Sequence, residues 1–329
     1  MTATTTSAFV TRSGECRWPQ SQWDARVQVK LSTADSNGAY AVCEVVTPPN
    51  FGPPVHLHRY DDEWFYVLKG QYRFVVGGQE TIVGEGGSVF GPRRIAHTFQ
   101  NIGTEPGRLL TISAPGGLDL FFRDLCTLVV PGELPETQEF LKLYEKHNLV
   151  YIAPPLAHDT VTTTGPVLQG REAFVLQPGE SRIGRKLDVV GDEMDVLVSR
   201  ADSEGRMSVL ENLTHPMGGP PEHSHGREEE FFYILDGEYE FLIDGMQIFA
   251  KAGDALFSPR DVPHTFRNVG SHGSRMVVAS FPGGLDDFFA DLETAAPAGK
   301  PPDLNQVIPV FSKHGLKFVG PPLRARNSA

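Results

Sequence analysis

Two histidines one residue apart, His56 and His58, are followed five residues later by Glu63 and, 34 residues after that, by His97. The same four residue types return at the same internal spacing as His223, His225, Glu230 and His264. Residues two apart on a β-strand face the same side, so each His-x-His pair can aim both imidazoles at one point. Three neutral imidazoles and one carboxylate make a mixed nitrogen–oxygen donor set. It suits Fe, Mn, Ni, Co or Cu and leaves coordination positions for a substrate or O2. Zn is a further alternative. A lone His-x-His is more often a pair of strand histidines with no metal. Two complete copies shift the balance to two metal sites, up to one ion in each half.

The elements that must position these residues are themselves repeated. Gly52-Pro53-Pro54 recurs as Gly219-Pro220-Pro221, 167 residues on, and Glu63-x-Phe65-Tyr66 as Glu230-x-Phe232-Tyr233. Pro92-Arg93 with His97-Thr98-Phe99-x-Asn101 recurs as Pro259-Arg260 with His264-Thr265-Phe266-x-Asn268. Pro115-Gly116-Gly117-Leu118-Asp119 returns as Pro282-Gly283-Gly284-Leu285-Asp286, and Pro154-Pro155 as Pro321-Pro322. Gly14-Glu15 pairs with Gly179-Glu180 at a slightly shorter offset, so a two-residue insertion lies between. A fixed period of this kind marks a duplicated domain. At 329 residues the chain has room for two. The expected domains are 1–157 and 158–329, joined by a linker at the Thr-rich stretch Thr160 to Thr164.

Within each repeat, short aromatic and β-branched runs alternate with Gly/Pro turns. Glu63 to Leu68 and Glu230 to Leu235 read as strands. Tyr72 to Val76 before Gly77-Gly78, and Tyr239 to Ile243 before Asp244-Gly245, read as hairpin arms. Leu109 to Ser113 and Met276 to Ser280 are further strands. Leu118 to Val130, Thr137 to His147 and Leu285 to Thr294 carry apolar residues at helical spacing. The fold expected is mostly β: two closed barrels or jelly rolls with short C-terminal helices.

Composition narrows the partners. Acids outnumber bases, 41 to 29, for a net charge of −12. That balance disfavours nucleic acid and anionic membrane surfaces. The three cysteines, Cys16, Cys43 and Cys126, form no disulfide framework or zinc knuckle. Together with a Thr/Ser-rich start lacking an apolar core, they predict a reducing, cytoplasmic location.

The pattern His-x-His-x4-Glu-x6-Gly with Gly-x5-Pro-x4-His-x3-Asn spans His56 to Gly70 and Gly86 to Asn101, then His223 to Gly237 and Gly253 to Asn268. It resembles the paired motifs of the cupin superfamily. One departure is visible: the usual Pro-x-Gly turn is Pro92-Arg93-Arg94 in one copy and Pro259-Arg260-Asp261 in the other, which leaves the shape of that turn open. Within the superfamily the chain resembles the bicupin quercetin 2,3-dioxygenases, through Glu-x-Phe-Tyr, the Pro-x4-His-Thr-Phe segments, and Pro-Gly-Gly-Leu-Asp-x-Phe-Phe.

That resemblance implies a metal-dependent dioxygenase opening the ring of a flavonol-like or other enolisable aromatic substrate with O2. Glu63 or Glu230 would ligate the metal and also accept the substrate's hydroxyl proton. Phe65, Phe99, Phe232 and Phe266 are candidate pocket walls, with Phe74 and Phe241 nearby and barrel core as the competing assignment. Arg93 and Arg260 read as solvated turn residues or as clamps for an acidic substrate. His147 and His314 read as structural residues at helix C-termini, and Glu228-Glu229 as a solvated acidic loop. Other cupin chemistries remain open: oxalate decarboxylase or oxidase, an isomerase or lyase, or a non-enzymatic binding protein. The resemblance also admits a homo-oligomer, with no residue that marks an interface.

Overall fold

The computed structural model describes residues 7–18, 26–128, 137–157, 171–297 and 303–323. The Thr160 to Thr164 linker and residues 129–130 of the first expected helix lie outside them. The described chain forms two compact units, 15–180 in one and 1–14 with 181–329 in the other.

The 15–180 unit is a pair of antiparallel sheets. One holds, in spatial order, Phe174–Leu176, Ser88–Gly91, Asp62–Lys69, Gly107–Ala114, Ala41–Thr47 and Val27–Leu31. The other holds Leu149–Pro155, Pro54–His58, His97–Asn101, Tyr72–Val76 and Gln79–Val83. The second unit repeats the plan. Its sheets are Phe9–Thr11, Ala255–Ser258, Glu229–Asp236, Ser274–Phe281, Ser208–Thr214, Asp192–Val198 and Leu187–Val189, and Met246–Lys251, Glu238–Ile243, His264–Asn268, Pro221–His225 and Leu316–Pro322. Each unit is one cupin-type barrel, as the strand and turn pattern predicts.

The units divide the chain differently from its repeat. The Phe9–Thr11 strand pairs with Ala255–Ser258, and its repeat equivalent Phe174–Leu176 pairs with Ser88–Gly91. Each short strand completes the sheet of the other half's barrel. The compact boundary therefore falls at the duplicated Gly-Glu pairs, Gly14-Glu15 and Gly179-Glu180, rather than near Ala157. Sequence periodicity marks where a repeat begins. It does not say which barrel an edge strand completes.

Turn chemistry explains the hairpins. Gly77 and Gly78, and Asp244 and Gly245, all adopt positive φ, the two-residue turn that matches strand twist. Strands near the site are buried almost throughout; Asp62–Lys69 and Glu229–Asp236 each run six residues before emerging. Aromatic rings fill the interiors: Phe65, Tyr72, Phe74 and Phe99 cluster in one barrel, and Phe232, Tyr239, Phe241 and Phe266 in the other.

The three expected helices form as Leu118–Leu128, Thr137–Lys146 and Leu285–Ala295. A fourth, Leu304–His314, is capped by the Asp303 side chain, which accepts from Asn305 N, and is closed by Gly315 in the left-handed region. Pro309 inside it interrupts the helical signal, although the Asp and Gly that bracket it are readable. Among the described residues no helix is long and apolar enough to cross a membrane.

Candidate metal centres

In the first barrel, His56 and His58 lie on Pro54–His58, and His97 stands directly opposite His56 on the adjacent strand. Glu63 comes from Asp62–Lys69 in the facing sheet. The three imidazoles thus approach from one sheet and the carboxylate from the other. One ligand atom from each of the four lies within 4.8 Å of the rest, and all four side chains are buried. His223, His225, Glu230 and His264 reproduce the arrangement, with His223 opposite His264.

The loop before each His pair runs hard against the strand carrying the third histidine. A Cβ on Gly52 would sit 1.7 Å from the Phe99 carbonyl oxygen, and one on Gly219 would sit 2.0 Å from that of Phe266. Only glycine permits that approach. After the Pro-Arg step, Arg94 and Asp261 take positive φ, so the family's left-handed turn survives without glycine. Each donates its backbone N–H to the carbonyl of the second histidine of the pair, Arg94 to His58 and Asp261 to His225, both at 2.7 Å. Asn101 and Asn268 each close the segment by donating to two backbone carbonyls.

Whether these residues fit a cation can be judged from their hydrogen bonds. His56 Nδ1 donates to Pro54 O at 2.8 Å, and His97 Nδ1 to Ile95 O at 3.0 Å. A carbonyl only accepts, so Nδ1 carries the hydrogen and the Nε2 lone pair points inward. His223 and His264 are fixed the same way, to Pro221 O and Val262 O. Yet His97 Nε2 lies 3.0 Å from Glu63 Oε2, and His264 Nε2 lies 2.6 Å from Glu230 Oε2. A lone pair and a carboxylate at that distance repel unless a proton on Nε2 or a metal cation stands between them. His58 Nε2 and His225 Nε2 are buried without a hydrogen-bond partner, though each lies near the same carboxylate, at 3.0 and 3.2 Å. Outer carboxylates steer these two rings: Asp61 Oδ2 is 3.4 Å from His58 Nδ1, and Glu228 Oε2 is 3.5 Å from His225 Nδ1. Oriented imidazoles backed by carbonyls and carboxylates are the surroundings of a metal ligand set. The residues fit a divalent transition metal.

The protonation pattern agrees. Burial, then the charges of His97 and His58, press His56 down to about 3. Burial also works against a charged His58, but Glu63 and Asp61 outweigh it and hold the ring up to about 9. Burial opposes the Glu63 anion, yet His58 and His97 keep it well below the carboxylate range. His223, His225 and Glu230 shift in the same directions. Each buried carboxylate anion thus draws positive charge toward the imidazoles around it.

Several neighbours differ from the sequence-based expectations. Arg93 is no solvated turn residue: its guanidinium and backbone N–H all bond to Asp62, a fully buried carboxylate that Arg171 also contacts. Arg260 pairs with Glu229. Glu228 and Glu229 are buried rather than looped into solvent. His147 and His314 tie one helix to the preceding one, through Asp124 at 2.8 Å and Asp291 at 2.6 Å, rather than capping helix ends. Phe65 and Phe232 pack in the aromatic cores and also lie edge-on to His97 and His264, with centroids 6.0 and 6.1 Å apart. Phe99 and Phe266 pack among the same rings and are slightly less buried than Phe65 and Phe232.

Sequence reasoning passed over one neighbour. Tyr144, from the Thr137–Lys146 helix, is buried with its ring edge-on to His56, centroids 6.0 Å apart. Burial, then Tyr151 and Glu63, push its phenol well above its ordinary value. Its repeat equivalent beside His223 is Phe311. Aligning the two helical tails at the 167-residue period would have exposed that difference.

Fold and clusters together define a bicupin with three histidines and one glutamate converging in each barrel. The Cupin domain family matches residues 43–113 and again 213–280, and the chain belongs to the cupin superfamily, with one cupin domain in each half. Among curated proteins it is similar to quercetin 2,3-dioxygenase of Bacillus subtilis (strain 168), 23% identical over 249 residues, 73% of this chain and 72% of that one. A shorter likeness, 38% over 77 residues, joins 23% of this chain to 50% of polyketide synthase CurC of Streptomyces cyaneus. Among solved structures, a mutant of Bacillus subtilis oxalate decarboxylase matches with a TM-score of 0.56 at 14% identity, covering 84% of this chain and 78% of that one. The same enzyme at pH 4.6 matches at 0.52 and 16% identity, covering 78% and 72%. At such identity the likeness is one of fold.

Proposed function

We propose that the protein is a metal-dependent dioxygenase acting on a flavonol-like or other enolisable aromatic substrate. The observation that carries the reading is the convergence of three imidazoles and one carboxylate in each barrel, with the His97–Glu63 and His264–Glu230 contacts placed where a cation between the two atoms would hold both. The ligands would be His56, His58, Glu63 and His97, and His223, His225, Glu230 and His264. Similarity to quercetin 2,3-dioxygenase over most of the chain supports the choice of reaction class.

A bound Fe, Mn, Ni, Co or Cu ion would supply a Lewis-acidic, redox-capable centre for an enolate and O2. The chain's residues do the rest. Glu63, or Glu230, accepts the hydroxyl proton of the substrate, which leaves the enolate electron-rich toward O2. Burial of the four side chains keeps bulk water from the reacting oxygen atoms and strengthens each charge interaction there. Phe65 and Phe99, with Phe232 and Phe266 in the second barrel, present flat apolar surface to an aromatic ring.

The test is O2 consumption by protein reconstituted separately with each metal, offered flavonols, β-diketones and oxalate. Metal-dependent O2 uptake with flavonols supports the reading. Full metal loading with no uptake on any enolisable aromatic contradicts it, and release of CO2 together with formate from oxalate instead assigns the site to decarboxylation.

A further inference from the structure

Tyr144 and Tyr151 flank the first cluster, and their repeat equivalents at the second are Phe311 and Phe318. Tyr151 lies opposite His56 on the neighbouring strand, and Phe318 lies opposite His223 in the same register. Tyr144 stands edge-on to His56 at 6.0 Å and to Tyr151 at 6.2 Å. Phe311 stands at 6.4 Å from His223 and 6.0 Å from Phe318. The four ligands are the same in the two barrels, and these aromatic neighbours hold the same places. What differs is two hydroxyl groups, present at one site and absent from the other.

Tyr144 is only 3% exposed, so its ring is packed beside the cluster. The second barrel keeps a phenylalanine in the same packing position, so ring packing alone does not call for the oxygen. A phenol beside a cation-binding cluster suits a ligand that brings an acceptor oxygen to that cluster.

We propose that the two centres differ in ligand selectivity. Tyr144 donates a hydrogen bond to an anionic oxygen of a small phenolate or enolate bound at the His56–His58–Glu63–His97 centre. The second centre, walled by Phe311 and Phe318, lacks that donor and discriminates less for oxyanions. Tyr144 is thus a specificity-determining residue of the first barrel. The inference rests on both clusters binding metal. It does not depend on what reaction follows.

The experiment uses full-length protein in two backgrounds, His223→Ala/His225→Ala to leave the first centre and His56→Ala/His58→Ala to leave the second. Each is loaded with Co(II), its metal content is measured, and it is titrated with 4-nitrocatechol, whose absorbance changes when its phenolate meets a metal. A charge-assisted hydrogen bond predicts ~10-fold tighter binding at the first centre. Tyr144→Phe should abolish the difference, and Phe311→Tyr in the other background should recover much of it. Both exchanges keep the ring, and circular dichroism confirms folding. Equal affinities at full loading, with no change on Tyr144→Phe, would overturn this inference while leaving the metal reading intact. Failure of folded protein to take up Co(II) in either background would overturn the metal reading and this inference with it.

Discussion

Asp62 and Glu63 are adjacent on one strand and point to opposite sides, the first into a salt bridge with Arg93 and the second into the cluster of His56, His58 and His97. Arg93 belongs to the turn that leads into His97, so this ion pair fastens the strand of one ligand to the approach of another. Asp62 is fully buried and also meets Arg171. In the second barrel the same relation joins Glu229 to Arg260, whose side chain is about half exposed.

Those burial differences predict unequal costs. Arg93→Ala removes a partner from a buried carboxylate and should destabilise by about 2–3 kcal/mol, while Arg260→Ala should cost below ~1 kcal/mol. Urea melts of the two variants check the contrast, and equal costs would contradict it.

Gly52→Ala drives a methyl group into the Phe99 carbonyl. The loop before His56 must move, and the expected cost is on the order of 3 kcal/mol, accompanied by loss of metal at the first centre. Gly14→Ala meets no atom within 4 Å and should cost about 1 kcal/mol, from its positive φ alone. Thermal denaturation of both variants beside the parent is sufficient.

A pH dependence follows from Asp192 in the second barrel. Burial raises its carboxyl to about 6, although His215 N donates to it at 3.0 Å. The folded state therefore holds the proton more tightly than the unfolded chain. Stability from this group is complete below the unfolded value near 4 and is lost as pH rises through about 6. Asp192→Asn keeps an acceptor without the charge, and it should stabilise the protein by about 2 kcal/mol near pH 7.5 with no gain near pH 4. A gain of equal size at both pH values would contradict the assignment.

Much of this was legible in the sequence because duplication supplies an internal control. His56, His58, Glu63 and His97 stand out through their copies, and alternation along short strands brings them into two facing sheets. What the sequence hid was non-local. Nothing in the Phe9–Thr11 segment says that it completes the barrel of the second half. Glu228 and Glu229 read as a solvated run because their burial depends on neighbours far along the chain, Arg260 among them. Arg93 reads as a turn arginine until the fold puts Asp62 beside it. Tyr144 went unnoticed for another reason: it lies on a helix far from the motifs, and only its comparison with Phe311 shows what it adds.

The most direct test is a metal titration of chelator-stripped, full-length protein, followed by calorimetry and elemental analysis. Each cluster of three histidines and one glutamate should take up one ion, His56→Ala/His58→Ala should halve the uptake, and adding the second pair of substitutions, His223→Ala/His225→Ala, should abolish it. Folded protein that binds no transition metal, or whose uptake is unchanged when both histidine pairs are removed, would contradict the account.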